Sequence, residues 1–189
     1  MNALTLLKQD HGNVETLFKR FEATGPDDVD EKRRIVDLII EQLSVHASIE
    51  EQLFYPAVRE CGSEDAAKLT LEGLEEHHVT KATLSELEKL APAHERFDAK
   101  VTVLIESVRH HVEEEENDLF PMVREALTGQ QLDELGATME EAKAAAPTRP
   151  HPMMPDVPPF NQLIGVPMAM ADRVITTARD VVGKALNRS

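Results

Sequence analysis

Apolar residues recur at three- and four-residue steps along four long stretches of the chain, the spacing of one helix face. In the first stretch, residues 2–23, these inner positions are Leu4, Leu7, His11, Val14, Leu17, Phe18 and Phe21. The same spacing predicts a second helix from about residue 30, a third over residues 63–91 and a fourth over residues 93–127. Four helices with short links predict an all-α protein, an up-down-up-down four-helix bundle.

The second and third helices have predicted inner faces and predicted ends. The second is expected to bury Ile35, Leu38, Ile39, Gln42, Val45, His46, Ile49 and Leu53. The third is expected to bury Leu71, Leu74, His77, Leu84 and Leu87. Pro56 has no N–H group and its ring clashes with the preceding turn, so a kink or an end of the second helix is expected there. Ser63 is expected to cap the third helix.

The composition changes beyond the bundle, which is predicted to occupy residues 1–127. The capping box Thr128-Gly-Gln-Gln131 predicts a short fifth helix over residues 128–146. Six prolines within residues 147–159 exclude a helix or sheet interior there. Apolar residues then return at helical spacing, so residues 147–189 are predicted to be a proline-rich linker followed by an amphipathic helix. That helix needs a docking surface, either its own bundle or a second subunit of a homodimer.

The composition agrees with a helical protein in the cytoplasm. Hydrophobic residues make up 41% of the 189 positions, enough for one core, and aromatic residues only 4%, which favours helices over a β-sandwich. The formal charge of −15 argues against nucleic acid and anionic membrane surfaces as partners, because phosphate contacts need clustered lysine and arginine. A single cysteine and the lack of a long apolar run predict a cytoplasmic location and no membrane span.

One motif occurs twice. The segment His46-Ala-Ser-Ile-Glu50 precedes a proline by six residues, and so does His111-Val-Glu-Glu-Glu115, with the matched residues 65 positions apart. An imidazole and a carboxylate four residues apart project from one face of a helix. Each copy therefore offers two donors to a metal ion.

A further histidine stands on the helix before each copy. His11 precedes the first copy's histidine by 35 residues, and His77 precedes the second copy's by 34, both on apolar stripes expected to face the interior. The bundle would then bury four imidazoles and two carboxylates. Because burying an unpaired carboxylate costs several kcal/mol, cations are expected beside them.

The types of donor atom limit which metals are expected at the site. Nitrogen and oxygen donors without a thiolate suit iron, with manganese or zinc as alternatives. Six protein donors are too few for two octahedral ions unless carboxylates bridge them. We therefore expect two irons bridged by Glu50, by Glu115 and by an oxo or hydroxo group, with the histidines as terminal ligands and open positions for a small molecule.

At two of the predicted ligand positions two histidines are adjacent, so the sequence pattern must decide which one of each pair faces inward. His111 rather than His110 reproduces the ten-residue distance to the following proline that is found in the first copy. Leucines seven and ten residues after His77 match phenylalanines seven and ten residues after the first-helix histidine, which favours His77 over His78. Other polar residues nearby are assigned to the surface: in the acidic run of residues 113–116 only the third carboxylate is expected to point inward, and His151 is expected to face solvent.

The duplicated pattern of histidine followed by HxxxE, with an apolar dipeptide and a proline after each pair, resembles the hemerythrin-like, or HHE cation-binding, domain. The resemblance covers residues 1–127, and the proline-rich tail is similar to tails of actinobacterial members. It implies a di-iron site whose ligands are His11, His46, Glu50, His77, His111 and Glu115.

One position departs from the oxygen-carrying hemerythrins, which have a second histidine four residues after the third-helix one. That position is Lys81, which favours turnover over reversible oxygen storage. Lys81 is expected to extend toward solvent, although a cation near the site could help to hold an anion. Tyr55, the one tyrosine, would lie about 180° from His46 on an ideal helix, unless a kink at Pro56 turns it inward.

The ligand count resembles the bacterial di-iron repair proteins and the mycobacterial hemerythrin-like proteins, which are associated with nitric oxide, peroxide and iron handling. The leading hypothesis is a peroxidase-like protein acting on peroxide or nitric oxide. The alternative is an oxygen or nitric oxide sensor, or an iron store, without turnover. No general acid or base outside the ligands can be identified, which leaves enzymatic activity open. The buried carboxylates argue against a third hypothesis, a metal-free helical interaction module.

Overall fold

Helices account for all the regular structure in the computed structural model, which describes residues 1–61 and 63–153. The segments are α1 (Ala3–Ala23), α2 (Val29–Ile49), π1 (Glu50–Phe54), α3 (Tyr55–Cys61), α4 (Glu64–Lys89), α5 (Phe97–Glu114), π2 (Glu115–Leu119), α6 (Phe120–Ala126) and α7 (Gly129–Lys143). The segments α2, π1 and α3 form one continuous rod, as do α5, π2 and α6, so that with α1 and α4 the bundle has four rods. The predicted all-α bundle is confirmed, whereas the predicted tail helix lies outside the described residues.

Side-chain caps fix most of the helix starts. Ser63 accepts a hydrogen bond from the N–H of Ala66, as predicted, and Thr128 and Gln131 form the predicted capping box. The fourth rod begins at Phe97, later than predicted. The reason is a pair of backbone-bonded turns after the proline at position 92, in which His94 donates to Ala91 O and Phe97 donates to His94 O.

The two rods that carry the repeated motif each contain a π-helical segment at the same place. The N–H of Tyr55 donates to the carbonyl of Glu50, and the N–H of Phe120 donates to the carbonyl of Glu115, which are i to i+5 bonds. In both rods the second residue after the π segment is a proline, Pro56 in one and Pro121 in the other. Of the two outcomes expected at Pro56, a kink or an end, the end is not found: the wider turn accommodates the proline ring, and the rod continues to Cys61.

Two apolar clusters fill the bundle, one on each side of the polar residues. One cluster contains Leu4, Leu7, Ile49, Phe54, Leu74 and Phe120, and the other contains Val14, Phe18, Leu43, Leu84 and Val108, among others. On every rod the inner histidine falls between residues of the first cluster and residues of the second. The fold thus places a polar layer across the middle of an apolar core.

The fifth helix, α7, is part of this body. Leu132 and Met139 belong to the first apolar cluster, and Lys143 donates to Asp10 of α1 at 2.7 Å. Gly136 lies so close to the chain start that a Cβ there would be 2.2 Å from the carbonyl oxygen of Met1. Within the described residues no helix is long and apolar enough to cross a membrane.

Two predicted core positions are wrong. Leu38 is 40% exposed because the buried stripe of α2 runs through Val36 and Ile40, and Leu38 lies about 200° around the helix from Val36. Leu71 is 51% exposed because the buried stripe of α4 passes instead through the small residues Thr70 and Gly73.

Candidate metal centre

All six predicted metal ligands are buried in the polar layer. They are His11, His46, Glu50, His77, His111 and Glu115, and each is less than a tenth exposed. The alternatives in the adjacent register are not: His78 is exposed, and the side chain of His110 is 64% exposed. In each adjacent pair, the buried histidine is the one that the sequence pattern predicts to face inward.

The donor atoms of these residues form two groups, within each of which they lie no more than 4.8 Å apart. The first group consists of His11, His46, Glu50 and Glu115, and the second of Glu50, His77 and His111. Glu50 belongs to both groups and is completely buried. Glu115 belongs only to the first, whereas the donor count of the sequence predicts that both carboxylates bridge.

The four imidazoles turn their Nε2 atoms toward the two carboxylates. The distances are 3.1 Å from His46 and 3.3 Å from His77 to Glu50 Oε2, and 3.4 Å from His11 and 3.7 Å from His111 to Glu115 Oε2. Within the second group, the Nε2 atoms of His77 and His111 are 3.2 Å apart. The nitrogens that a metal would use all face the centre of the bundle.

Several of these atoms are buried without a hydrogen-bond partner. They include both carboxylate oxygens of Glu50, Oε2 of Glu115 and Nε2 of His11. A buried carboxylate oxygen in this condition destabilises the fold unless positive charge lies beside it. Since cations placed within the two groups would satisfy all of these atoms, the residues present fit bound metal ions.

The pKa values reflect the concentration of negative charge. Burial lowers the pKa of His46, but Glu50 and Asp10 outweigh burial and raise that pKa to about 10. Burial likewise lowers the pKa of His77, and Glu50 and Glu51 raise it to about 9. Burial raises the pKa of Glu50, but the two histidines outweigh it and hold that pKa well below its usual value. Glu50 therefore stays ionised and favours a cationic neighbour.

A second carboxylate stands behind each imidazole, at Nδ1. These partners are Glu116 for His11 at 2.9 Å, Glu51 for His77 at 3.1 Å, Glu76 for His111 at 2.7 Å and Asp10 for His46 at 3.7 Å. The first three are hydrogen bonds, and the last is an electrostatic contact that is too long for one. A carboxylate at Nδ1 keeps a proton on that nitrogen, so Nε2 is the nitrogen that would bind a metal.

Sequence reasoning missed these four carboxylates, although the repeat contains them. Asp10 and Glu76 each come directly before an inner histidine, and Glu51 and Glu116 each come directly after an inner glutamate. The prediction that Glu115 is the one inward carboxylate of the acidic run is wrong, because the carboxylate of Glu116 also turns toward the site and contacts His11.

Tyr55 points into the site. Its side chain is fully buried, and its hydroxyl donates to Glu115 Oε1 at 2.9 Å. The expectation from an ideal helix is wrong because π1 lies between His46 and Tyr55, and the wider π turn advances each residue by a smaller angle. Burial and the charge of Glu115 raise the pKa of Tyr55 well above its usual value, so the phenol keeps its proton.

Lys81 does not extend to solvent as predicted. It is 8% exposed, and its Nζ lies 3.0 Å from Oε1 and 3.1 Å from Oε2 of Glu51. The carboxylate that holds His77 thus also holds Lys81, because four residues on α4 bring both side chains to the same face. His151, expected to face solvent, is half-buried.

A small cavity adjoins the four imidazoles. Its volume is about 20 Å³, and its walls are completed by apolar side chains that include Val14, Leu43, Val108 and Val112. A space of this size admits a molecule similar in size to water.

The family model of the hemerythrin HHE cation binding domain matches residues 2–123. A crystal structure of a hemerythrin HHE cation binding domain-containing protein from Mycobacterium kansasii has the same fold, with a TM-score of 0.65 and 26% identity, over 76% of this chain and 86% of that chain. An uncharacterised protein of Mycobacterium tuberculosis is 28% identical over 142 residues, which are 74% of this chain and 83% of that protein.

Relatives from other organisms share the same region. An uncharacterised hemerythrin-like protein of Schizosaccharomyces pombe is 24% identical over 93% of this chain and 84% of its own length. A DNA nickase of Nostoc is 28% identical over 76% of this chain, which spans only 40% of that protein. Because the family model covers well over half of the residues, this chain belongs to the hemerythrin HHE cation binding domain family.

Proposed function

We propose that this chain is a non-haem di-iron protein that binds and turns over small oxidants, either peroxide or nitric oxide, in a peroxidase-like reaction. The observation that carries the proposal is Glu50, a fully buried carboxylate that is common to both donor groups and has no hydrogen-bond partner for either oxygen. A carboxylate in this position is suited to join two cations. The donors would be His11, His46, Glu50 and Glu115 for one iron, and Glu50, His77 and His111 for the other.

Iron is the metal that best matches the donors and the expected chemistry. Imidazole and carboxylate ligands also accept manganese and zinc, but zinc has no redox chemistry. Reduction of a peroxide to two water molecules consumes two electrons and two protons. When bound, the iron pair would supply the two electrons. An external reductant would restore these electrons.

The protein's own residues would prepare the site for this reaction. The outer carboxylates hold the Nδ1 protons and orient the imidazoles, and Tyr55 fixes Glu115 through its hydrogen bond. The second group offers one protein donor fewer than the first, so a metal held there would have more room for a small molecule. The small cavity beside the histidines, whose walls are mostly apolar, would receive such a molecule.

Adjacent-residue variants provide the test. We expect His77→Ala, His111→Ala and Glu115→Ala to lose bound iron in metal analysis after anaerobic loading with ferrous iron. The neighbours His78→Ala and His110→Ala change the same residue type one position away and should keep it. Equal iron content in the paired variants would show that these residues are not the ligands, and a wild-type chain that binds no iron would refute the proposal as a whole.

A second candidate function, reversible binding by a sensor or an iron store, is favoured by one observation. The hydroxyl of Tyr55 is already committed to Glu115, and the Nδ1 atoms of three imidazoles are committed to carboxylates, so neither the phenol nor these imidazoles has a spare proton for turnover. Stopped-flow mixing of the iron-loaded chain with peroxide, nitric oxide or oxygen distinguishes the two functions. Repeated consumption of the oxidant in the presence of a reductant indicates turnover, whereas one reversible spectral change indicates binding.

A further inference from the structure

Two chains of three charged residues approach the site from opposite halves of the bundle. Lys8 donates to Glu116 at 2.7 Å, and Glu116 contacts His11. Lys81 contacts Glu51 at 3.0 Å, and Glu51 contacts His77. Each half therefore has a lysine, a carboxylate and an inner histidine in series, which we call a relay.

The two relays do not follow from the internal repeat alone. The histidines and carboxylates occupy matched positions, but Lys8 comes three residues before its histidine, and Lys81 comes four residues after its own. The residue that matches Lys81 in the first half is Glu15, which pairs with Arg109 instead. The same arrangement of charges is thus built from lysines at different positions.

The two relays differ in their exposure to water. The side chains of Lys8 and Glu116 are 40% and 27% exposed, whereas those of Lys81 and Glu51 are 10% and 5% exposed. Low dielectric around the second pair makes its charges act more strongly on His77 than the exposed pair acts on its own histidine.

The segment of residues 147–151 covers the buried relay. Pro147 and Pro150 are buried, and Arg149 forms an ion pair with Glu88 of α4. Together with Ser44 and Ser48 of α2, this segment encloses a space of about 20 Å³ beside Lys81 and Glu51. The start of the predicted linker thus serves as a cover for this part of the bundle.

We infer that Glu51 and Lys81 are positioning residues that act through His77. They set the reduction potential and the iron affinity of the second donor group. The inference rests on the proposed di-iron function. Glu51 makes Nε2 of His77 a stronger donor by drawing on its Nδ1 proton, and Lys81 moderates that effect by withdrawing charge from the carboxylate. Neither residue belongs to the two donor groups.

This division of roles predicts effects of opposite sign. Glu51→Gln removes the negative charge, weakens the donor and disfavours ferric iron, so the reduction potential should rise and the affinity for one of two ferrous ions should fall about 10- to 100-fold. Lys81→Gln removes the positive charge, leaves the full carboxylate on His77 and should lower the reduction potential. A contribution to folding alone would not move the potential in opposite directions.

The experiment compares five full-length variants loaded anaerobically with ferrous iron. Glu51→Gln and Lys81→Gln alter the buried relay, Glu116→Gln and Lys8→Gln alter the exposed one, and Glu41→Gln makes the same charge change on the exposed face of α2. Spectroelectrochemical titration gives the reduction potentials, and equilibrium dialysis gives the iron affinities. We expect shifts of opposite sign at Glu51 and Lys81, smaller and salt-dependent shifts at Glu116 and Lys8, and none at Glu41.

The outcomes separate the relay from the di-iron proposal. If the wild-type chain binds no iron, both are refuted. If it binds iron normally but Glu51→Gln behaves like Glu41→Gln, or if the Glu51 and Lys81 variants shift the potential in the same direction, only the relay is refuted. Should Glu51→Gln fail to fold, a lower potential in Lys81→Gln still supports the relay and an unchanged or higher one overturns it. Failure of both to fold would assign the pair to structure alone and overturn the inference.

Discussion

At the scale of single residues, close contacts around Tyr55 determine how the site is held. Its hydroxyl binds Glu115, its ring lies 5.5 Å from that of His77 between centroids, and its far end presses against Gly73. A Cβ on Gly73 would lie 2.8 Å from the hydroxyl oxygen and 3.2 Å from the adjacent ring carbon. The absence of a side chain at Gly73 is what lets the phenol reach Glu115.

We therefore expect Gly73→Ala to displace the hydroxyl and to lower the free energy of unfolding by about 1–3 kcal/mol, the usual cost of overpacking. Because Tyr55 is the one tyrosine and the chain has no tryptophan, ultraviolet difference absorption reports on it directly. The cost should shrink in a Tyr55→Phe background, where the hydroxyl is missing. An equal cost in both backgrounds, measured by urea unfolding, would locate the strain elsewhere.

The protonation of His46 and His77 makes metal uptake depend on pH. With pKa values raised to about 10 and about 9, both side chains are positively charged imidazolium ions at neutral pH, with a proton on each nitrogen. Each must lose the proton on Nε2 to bind a metal through that atom. The affinity for ferrous iron should thus fall as the pH is lowered, and uptake at neutral pH should release about two protons. Calorimetry in buffers of different ionisation enthalpy counts them. Uptake without proton release would contradict the raised pKa values.

At the scale of elements, the two π segments and the packing of α7 shape the bundle around the site. Each π segment starts at an inner glutamate and ends just before a proline-containing α segment, so the same local sequence produces the same local geometry twice. The close approach of α7 to the chain start requires a small residue, Gly136, against the backbone of the first three residues.

Two glycine substitutions should have opposite effects on stability. Gly136→Ala would place a methyl group 2.2 Å from Met1 O and 2.6 Å from Ala3 N, so α7 or the chain start must move and the free energy of unfolding should fall. Gly12→Ala lies on the exposed face of α1 with open space around it, and should raise that free energy by about 0.5–1 kcal/mol through helix propensity. Urea unfolding measures both. A stabilising Gly136→Ala would show that α7 is not packed closely against α1.

At the scale of the whole molecule, the polar layer divides the core, so metal binding should contribute to the stability of the entire bundle. The formal charge of −15 adds to the repulsion among carboxylates that a bound cation would offset. A ligand that binds the native state alone stabilises it by mass action.

Removal of iron with a chelator should therefore lower the melting temperature. At a free-metal concentration about 100 times the dissociation constant, the binding contributes about 2.7 kcal/mol, or about 5–10 °C for a chain of this size. The matched control is Glu50→Ala, which removes the shared carboxylate and should show no difference between chelated and iron-supplemented samples. Differential scanning calorimetry of both chains tests this, and an equal iron effect in the variant would contradict the shared role of Glu50.

The amino-acid sequence by itself determined the helical periodicity, the caps at Ser63 and Thr128 and the positions of six inner donors. Periodicity and the 65-residue repeat identify them because a helix has a fixed angle per residue, so spacing along the chain becomes direction in space. The choice of His77 over His78 and of His111 over His110 follows from the same rule, since a shift of one residue turns a side chain through about 100°.

Only the tertiary structure decided which carboxylates contact the Nδ1 atoms of the inner histidines and whether Tyr55 reaches the site. Glu116 meets His11, and Glu51 meets His77, across pairs of rods whose distance and rotation are set by packing and not by the spacing within either rod. Tyr55 reaches the site because a π turn precedes it. The prediction of its direction assumed an ideal α-helix, which contains no such turn. A local rule gives the direction of a side chain on one helix, but its partner is fixed only when the apolar clusters bring the rods together.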